Sequence, residues 1–169
     1  MSWEVKTVAQ LIKEGTVLHV QDGNHGSIHP KSSDYSDEGI YFIMANDFVN
    51  GNIDYKNAKK IPLELSEKLR IGFAKNDDVL LTHKGTIGNT AIVEGVNPYI
   101  MLTPQVTYYR LNKEKLLPKF LHAHFREPNF QERLHSISAQ STRPYIGITA
   151  QKNIKLTIPP LKTQKRIAD

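Results

Sequence analysis

Residues 76–93 constrain the fold more than any other stretch of this chain. Asn76-Asp77 is a turn signal, Asp78 to Thr82 is an extended apolar run, and Thr90 to Val93 is another. Between them Lys84-Gly85-Thr86-Ile87-Gly88 breaks the pattern with two glycines. Short apolar runs bounded by turn residues favour strands over helices. The segment predicts two strands joined by a glycine-bracketed loop, and a domain built around them must be β-rich.

The flanking segments extend that reading. Thr7 and Gln10 have capping-box spacing, Val8, Leu11 and Ile12 form an apolar stripe, and Gly15 closes a first helix. Thr16 to Val20 reads as a strand, followed by a polar stretch from Gln21 to Gly39 without periodicity. A loop that long in a compact domain is usually functional. Ile40 to Ala45, Ile100 to Leu102, Val106 to Leu111 and Ile154 to Ile158 supply further strands, and Asn50-Gly51 marks a turn before Ile53. Pro62 to Leu69, Pro118 to Phe125 and Phe130 to Ile137 read as helices, with Pro128 separating the last two. Ser138 to Pro144 is a polar loop, and Pro159-Pro160 opens a final helix about two turns long. Strands in a block before the main helices argue for α+β rather than alternating α/β.

With 169 residues the chain suits one domain with a real core. There are no cysteines, so disulfides and thiolate-bound metals are excluded. No apolar run approaches the ~20 residues that span a bilayer, and Met1 to Lys6 lacks a signal-peptide pattern. A cytoplasmic protein is expected. Net charge is +5, unevenly spread: residues 110–169 hold twelve Lys/Arg against four Asp/Glu, and residues 1–109 hold ten against thirteen. One basic half makes the chain a candidate for polyanion binding, although a mildly basic solvated surface gives the same count.

Candidate chemistry sits in the loops. The Lys84 loop could bring backbone amides and an ammonium to an anion, or be a plain hairpin. It lacks the Gly-Lys-Ser/Thr ending and following helix of a nucleotide-binding phosphate loop. Asp22-Gly23-Asn24-His25-Gly26 is a tight turn from which Asn24 and His25 could project, and His25 with His29 lacks a third metal ligand. His122 and His124, two apart on a helix, cannot chelate one ion and read as surface or half-buried. Gln140-Ser141-Thr142-Arg143-Pro144-Tyr145 suits DNA: glutamine pairs with adenine, arginine with guanine, and hydroxyls with phosphate or base. No nucleophile–base pair, dinucleotide fingerprint or methyltransferase Asn-Pro-Pro-Tyr tetrapeptide is present.

At the C-terminus, Ile158-Pro159-Pro160-Leu161-Lys162-Thr163-Gln164-Lys165-Arg166-Ile167-Ala168 resembles the signature ending each target-recognition domain of type I restriction-modification specificity subunits. Four other segments are similar to that family in the same order. They are Asp22 to Gly26; Asn76 to Leu81 with Lys84 to Gly88; Phe120-Leu121 with Phe130-Gln131; and Ser141-Thr142 with Ile148. The departures are Asn76 or Asp77 where glycine is usual, and Ala139-Gln140 replacing the glycine before Ser-Thr.

The resemblance implies a single mixed, mostly antiparallel α+β domain like the DNA-recognition domain of adenine-N6 methyltransferases. It spans 1–158, with 159–169 beginning a spacer helix whose Leu161, Gln164, Arg166 and Ile167 face partners. Such a domain is non-catalytic, binds no cofactor or metal, and reads half of a bipartite double-stranded site. Modification subunits methylate and a restriction subunit cleaves. DNA-facing residues would be Asn24, His25 and Lys31 of the long loop, Lys84 and Thr86, and Gln140, Ser141, Thr142, Arg143 and Tyr145. The helix ending at Asp169 is too short to be stable alone or to build a coiled coil. The recognition part of a fused restriction-methyltransferase would look the same. A phosphate-handling enzyme built on the Lys84 loop would need a carboxylate or histidine beside it, and an interaction module would show an apolar patch instead of a basic face.

Overall fold

The computed structural model describes residues 2–140 and 142–169. In chain order its elements are β1 (Glu4–Thr7), α1 (Val8–Lys13), β2 (Val17–Asp22), β3 (Ile40–Ile43), β4 (Phe48–Val49), β5 (Asn52–Ile53), β6 (Lys59–Ile61), α2 (Leu63–Ser66) and β7 (Phe73–Ala74). The second half holds β8 (Val79–Lys84), β9 (Thr86–Ile92), β10 (Ile100–Leu102), β11 (Val106–Leu111), α3 (Pro118–Phe125), α4 (Pro128–Ser138), α5 (Ile148–Lys152), β12 (Lys155–Ile158) and α6 (Leu161–Ala168). The mixed, mostly antiparallel α+β architecture expected from the sequence is the one observed.

Local signals fixed the local structure. Thr7 Oγ1 accepts from the Gln10 N–H (3.1 Å), and Gln10 Oε1 accepts from the Thr7 N–H (2.8 Å), a complete capping box. Asn50 and Gly51, both at positive φ, form the two-residue turn between β4 and β5. Asp77 takes φ 75° in the turn before β8, a conformation aspartate tolerates and the reason glycine suits that position.

One four-stranded antiparallel sheet, ordered β2-β11-β8-β9, forms the centre. Period-two alternation divides its side chains between two cores. Val79, Leu81, Tyr109 and Leu111 face the helices and pack with Leu11, Leu121, Phe125 and Phe130. Phe125 stacks on Phe130 with ring centres 5.0 Å apart, and Tyr109 meets Phe125 edge-on at 5.2 Å. Leu80, Ala91, Val106 and Tyr108 face the other way, onto Ile43, Ile100 and Leu102 of a second sheet ordered β6-β3-β10-β7. In that sheet β3 and β10 run parallel.

Several expectations need correction. The break over residues 84–88 shrinks to Gly85: Lys84 already pairs with Thr86, and Gly85 at φ 76° reverses the chain alone. Gly88 lies inside β9 at φ 93°, a conformation that favours glycine, and Gln131 of α4 packs over it and donates to its carbonyl (2.8 Å). The long loop starts at Gly23, because pairing with β11 carries β2 through Asp22. His124 is buried at 4% exposure; its Nε2 accepts from the Thr157 N–H (3.2 Å), and Phe120 and Phe130 meet it edge-on. The elements β1, β6, β7 and α5 had no sequence signal.

Candidate nucleic-acid interface

β2 ends, β8 ends, and β9 and β11 begin at one end of the central sheet, so antiparallel pairing gathers their terminal residues there. Exposed Lys84 forms an isolated bridge with Tyr145, which is 46% exposed. The Gly85 N–H donates to the Pro144 carbonyl (3.1 Å), and the Ile146 N–H to the His83 carbonyl (2.8 Å). The hairpin tip and the segment after the 138–144 loop are thus laced together, and exposed Thr142 and Arg143 immediately precede it. The bond to Pro144 also uses the amide that an anion cradle would need. From β2 comes Asp22, whose carboxyl is pushed up by burial and held back by the charges of His25 and Lys84. His25 and Thr86 are exposed.

Beneath this corner runs a buried polar chain that sequence reading missed. Gln151 of α5, fully buried, accepts from the Tyr109 hydroxyl (2.7 Å). Its amide nitrogen donates to Thr107 Oγ1 (2.9 Å) and to the Ile146 carbonyl (3.0 Å). Thr107 Oγ1 lies 2.6 Å from His83 Nδ1. Thr107 and His83 Nδ1 thus share one hydrogen bond whose donor is set by the tautomer, and the other ring nitrogen is Nε2. That nitrogen faces Asp22 Oδ1 at 3.6 Å, too long for a hydrogen bond. The chain ties β8, β11 and α5 into one support for Lys84 and Tyr145.

Burial, followed by the Lys84 charge, pushes the His83 imidazole down to about 4 from the usual 6.5. A depressed histidine stays neutral in the fold while the unfolded chain takes a proton, so its stabilisation is lost as pH falls from about 6.5 towards 4. His122 and His124, also lowered chiefly by burial, act in the same direction, whereas Asp22, raised by burial, acts oppositely. His83 alone should remove roughly 3 kcal/mol over that span, at about 1.36 kcal/mol per unit. Thermal melts from pH 7.5 to pH 4.5 should show a falling midpoint, and a steady or rising midpoint would contradict this account.

Not every anticipated contact residue lies at the corner. Asn24 is corrected: it is 2% exposed, its side chain donates inward to the Ile28 carbonyl (2.8 Å), and its N–H donates to Leu102 (2.8 Å). It shapes the loop and has no surface to offer. Lys31 is exposed further along the loop, where its N–H donates to Asp34 (2.7 Å). Gln140 is exposed one residue past the α4 cap, and Ser141 lies outside the described residues. Gln105 was overlooked: it is exposed, its backbone carbonyl accepts from the His83 N–H (2.9 Å), and its side chain flanks Gly85.

The helix α6 also departs from expectation. Gln164, anticipated to face partners, is 1% exposed. Its Oε1 accepts from the Leu117 N–H (2.9 Å), and its Nε2 donates to the Lys115 (3.0 Å) and Pro159 (2.9 Å) carbonyls. These bonds dock α6 against α3 and stabilise a helix too short to persist alone. Leu161 is half-buried, while Arg166 and Ile167 are exposed.

The enzyme alternative asked for a histidine or carboxylate beside Lys84, and His83 and Asp22 are both there. His83, however, is 1% exposed and already bound to Thr107, and the adjacent amide is bound to Pro144. Among the described residues no three metal-ligating side chains gather, and no helix is long and apolar enough to cross a membrane.

These features define a two-sheet α+β domain with loops gathered over one exposed end that carries Lys84 and Arg143. The chain belongs to the type I restriction modification DNA specificity domain family, whose model matches residues 3–169. It is 26% identical over 144 residues to the EcoBI specificity subunit of Escherichia coli, covering 85% of this chain and 30% of that one. It is 23% identical over 171 residues to the MjaVIII specificity subunit of Methanocaldococcus jannaschii, covering 99% and 38%. The crystal structure of the HsdS subunit from Thermoanaerobacter tengcongensis shares the fold with TM-score 0.60 at 19% identity, over 99% of this chain and 35% of that one. The S subunit from M. genitalium does so with TM-score 0.61 at 11% identity, over 99% and 37%. The chain spans about a third of the length of these relatives.

Proposed function

We propose that this chain is one target-recognition domain of a type I specificity subunit, reading one half of a bipartite site in double-stranded DNA. Residues 1–158 form the recognition unit, and 159–169 begin the helix that spaces it from a second such unit. Methylation and cleavage belong to separate modification and restriction subunits. The observation that carries this reading is the convergence of Lys84, Thr86, Tyr145 and His25, all exposed, on one end of the central sheet, with Arg143 two residues before Tyr145. Phosphate contacts position such a domain and base contacts specify it.

The experiment is a titration of the purified chain into labelled duplex at several salt concentrations. Lys84→Ala should weaken binding to all sequences alike and lower the salt slope by about 1. Arg143→Ala should cost roughly 1–3 kcal/mol on the cognate half-site and little on random duplex. Equal losses on both duplexes for both variants would refute this division of roles.

A further inference from the structure

The long loop leaving β2 at Gly23 ends on the edge strand of the second sheet, where the Ser36 N–H donates to the Lys60 carbonyl (2.9 Å). There it closes one side of a groove of about 640 Å³. Tyr35, Tyr41 and Tyr55 wall the groove, Lys56, Lys59 and Lys60 line it, and Asp37 is its lone carboxylate among the described residues. Lys60 Nζ sits 4.8 Å from the centre of the Tyr41 ring, which packs at 4.9 Å against Tyr55. Lys56 and Lys59 are exposed, and neither ammonium has an ion pair or side-chain hydrogen bond among the described residues.

Lysines on an edge strand commonly serve to block pairing with another strand. That explanation covers Lys59 and Lys60, which are on β6, but not Lys56, which precedes it, nor the tyrosines closed around them. Three cations against one lining carboxylate also stand out in residues 1–109, where acidic side chains outnumber basic ones thirteen to ten, although Asp47 lies within electrostatic reach of Lys59 and Glu94 of Tyr55.

Position adds the second argument. β6 begins at Lys59 opposite Phe42, so the groove lies where β3 hands over to Ala45. The Ala45 N–H donates to Gln105 Oε1 (3.3 Å), and the Gln105 side chain flanks Gly85 at the Lys84 tip. The Lys59 side of the groove thus faces the junction that leads to the Lys84 tip, while its Tyr55 wall borders Glu94 beyond the other end of β9, and the long loop runs from the Lys84 corner to the groove.

We propose that this groove holds the sugar–phosphate backbone of duplex DNA beside the half-site, with Lys56 and Lys59 on phosphates. The proposal rests on the reading of the chain as a duplex-binding domain, and it places a contact on β6, outside the three loops. Backbone contacts of this kind are independent of sequence and show in the salt dependence of binding.

The test uses the whole chain, a short labelled random-sequence duplex and a single strand of equal length. The double variant Lys56→Ala/Lys59→Ala should lower the salt slope for duplex by about 2. Its loss of affinity between about 50 and about 200 mM salt should then be about tenfold smaller than that of the wild type. Circular dichroism and the thermal midpoint, changed little because both side chains are exposed and make no hydrogen bond among the described residues, verify the fold. An unaltered duplex slope in this variant, while the wild type binds, overturns the groove and leaves the function intact. Loss confined to the single strand overturns it as well. A wild-type chain that fails to bind duplex even at low salt overturns both.

Discussion

Replacing Arg110 with alanine should lower the free energy of unfolding by about 2–4 kcal/mol, short of the full cost of breaking a buried ion pair because Asp78 is buried but Arg110 only half-buried. Arg110 Nε and Nη2 donate to Asp78 Oδ1 (2.9 Å) and Oδ2 (2.8 Å), a two-pronged fit that lysine cannot reproduce. Nη2 also reaches the Phe73 carbonyl (3.3 Å), and the guanidinium lies over the Tyr108 ring at 4.9 Å. Asp78 is 2% exposed and its Oδ2 accepts from the Lys75 N–H (2.8 Å), closing the turn into β8. Without Arg110 that carboxylate stays buried with no counter-charge. Urea unfolding of the wild type, Arg110→Ala, Asp78→Asn and the double variant makes the check, and the double variant should lose less than the two single losses together. A cost for Arg110→Ala below about 1 kcal/mol would show that the pair is solvated. The pair also bears on the charge argument: Arg110 belongs to the basic half by count, yet Asp78 neutralises it and it adds nothing to a DNA-facing field.

The second large effect is expected at Gln151. Gln151→Leu keeps the volume while stranding the Tyr109 hydroxyl and the Ile146 carbonyl and removing a donor from Thr107. A stranded buried polar group costs about 1–3 kcal/mol, so the total should reach about 2–5 kcal/mol. The damage should also be local. Ile146 is the residue that ties the segment after the 138–144 loop to His83, so its amide and that of Gly85 should exchange with solvent faster than in the wild type. Duplex binding should weaken along with them, because Tyr145 loses its support. Unchanged melting together with unchanged exchange at these two amides would mean that the polar chain does not hold the corner.

These residues also mark how far sequence could carry the reading. The capping box of Thr7 and Gln10, the Asn50-Gly51 turn and the Asp77 turn were legible because the deciding contacts lie within a few residues. The central hairpin was legible because two apolar runs flank a glycine. Gln151 and Gln164 were not, because their partners are 44 and 47 residues away, at Thr107 and Leu117. Nothing local separates a buried glutamine from a surface one. Asn24 was misassigned for the same reason: polarity suggested projection, while pairing to Leu102, far along the chain, turned it inward. β1 had no signal because its only strand partner among the described residues is β12, near the opposite end of the sequence. The corner itself was half visible, through the Lys84 loop and the residues around Arg143; its supporting chain through His83, Thr107 and Gln151 exists only after the sheet has assembled.

The Gln164 clamp turns α6 into a lever. With Oε1 bonded to the Leu117 N–H and Nε2 to the Lys115 carbonyl, just ahead of α3, the helix cannot swivel on Pro159-Pro160 without breaking both hydrogen bonds. A helix prolonged along this axis for ~20 residues would reach ~30 Å. Over that length a tilt of ~10° at its root displaces the far end by ~5 Å, more than the step between neighbouring base pairs, since a duplex rises ~3.4 Å per pair. One neutral side chain at the root thus sets the phase at which anything carried on such a helix would meet the double helix.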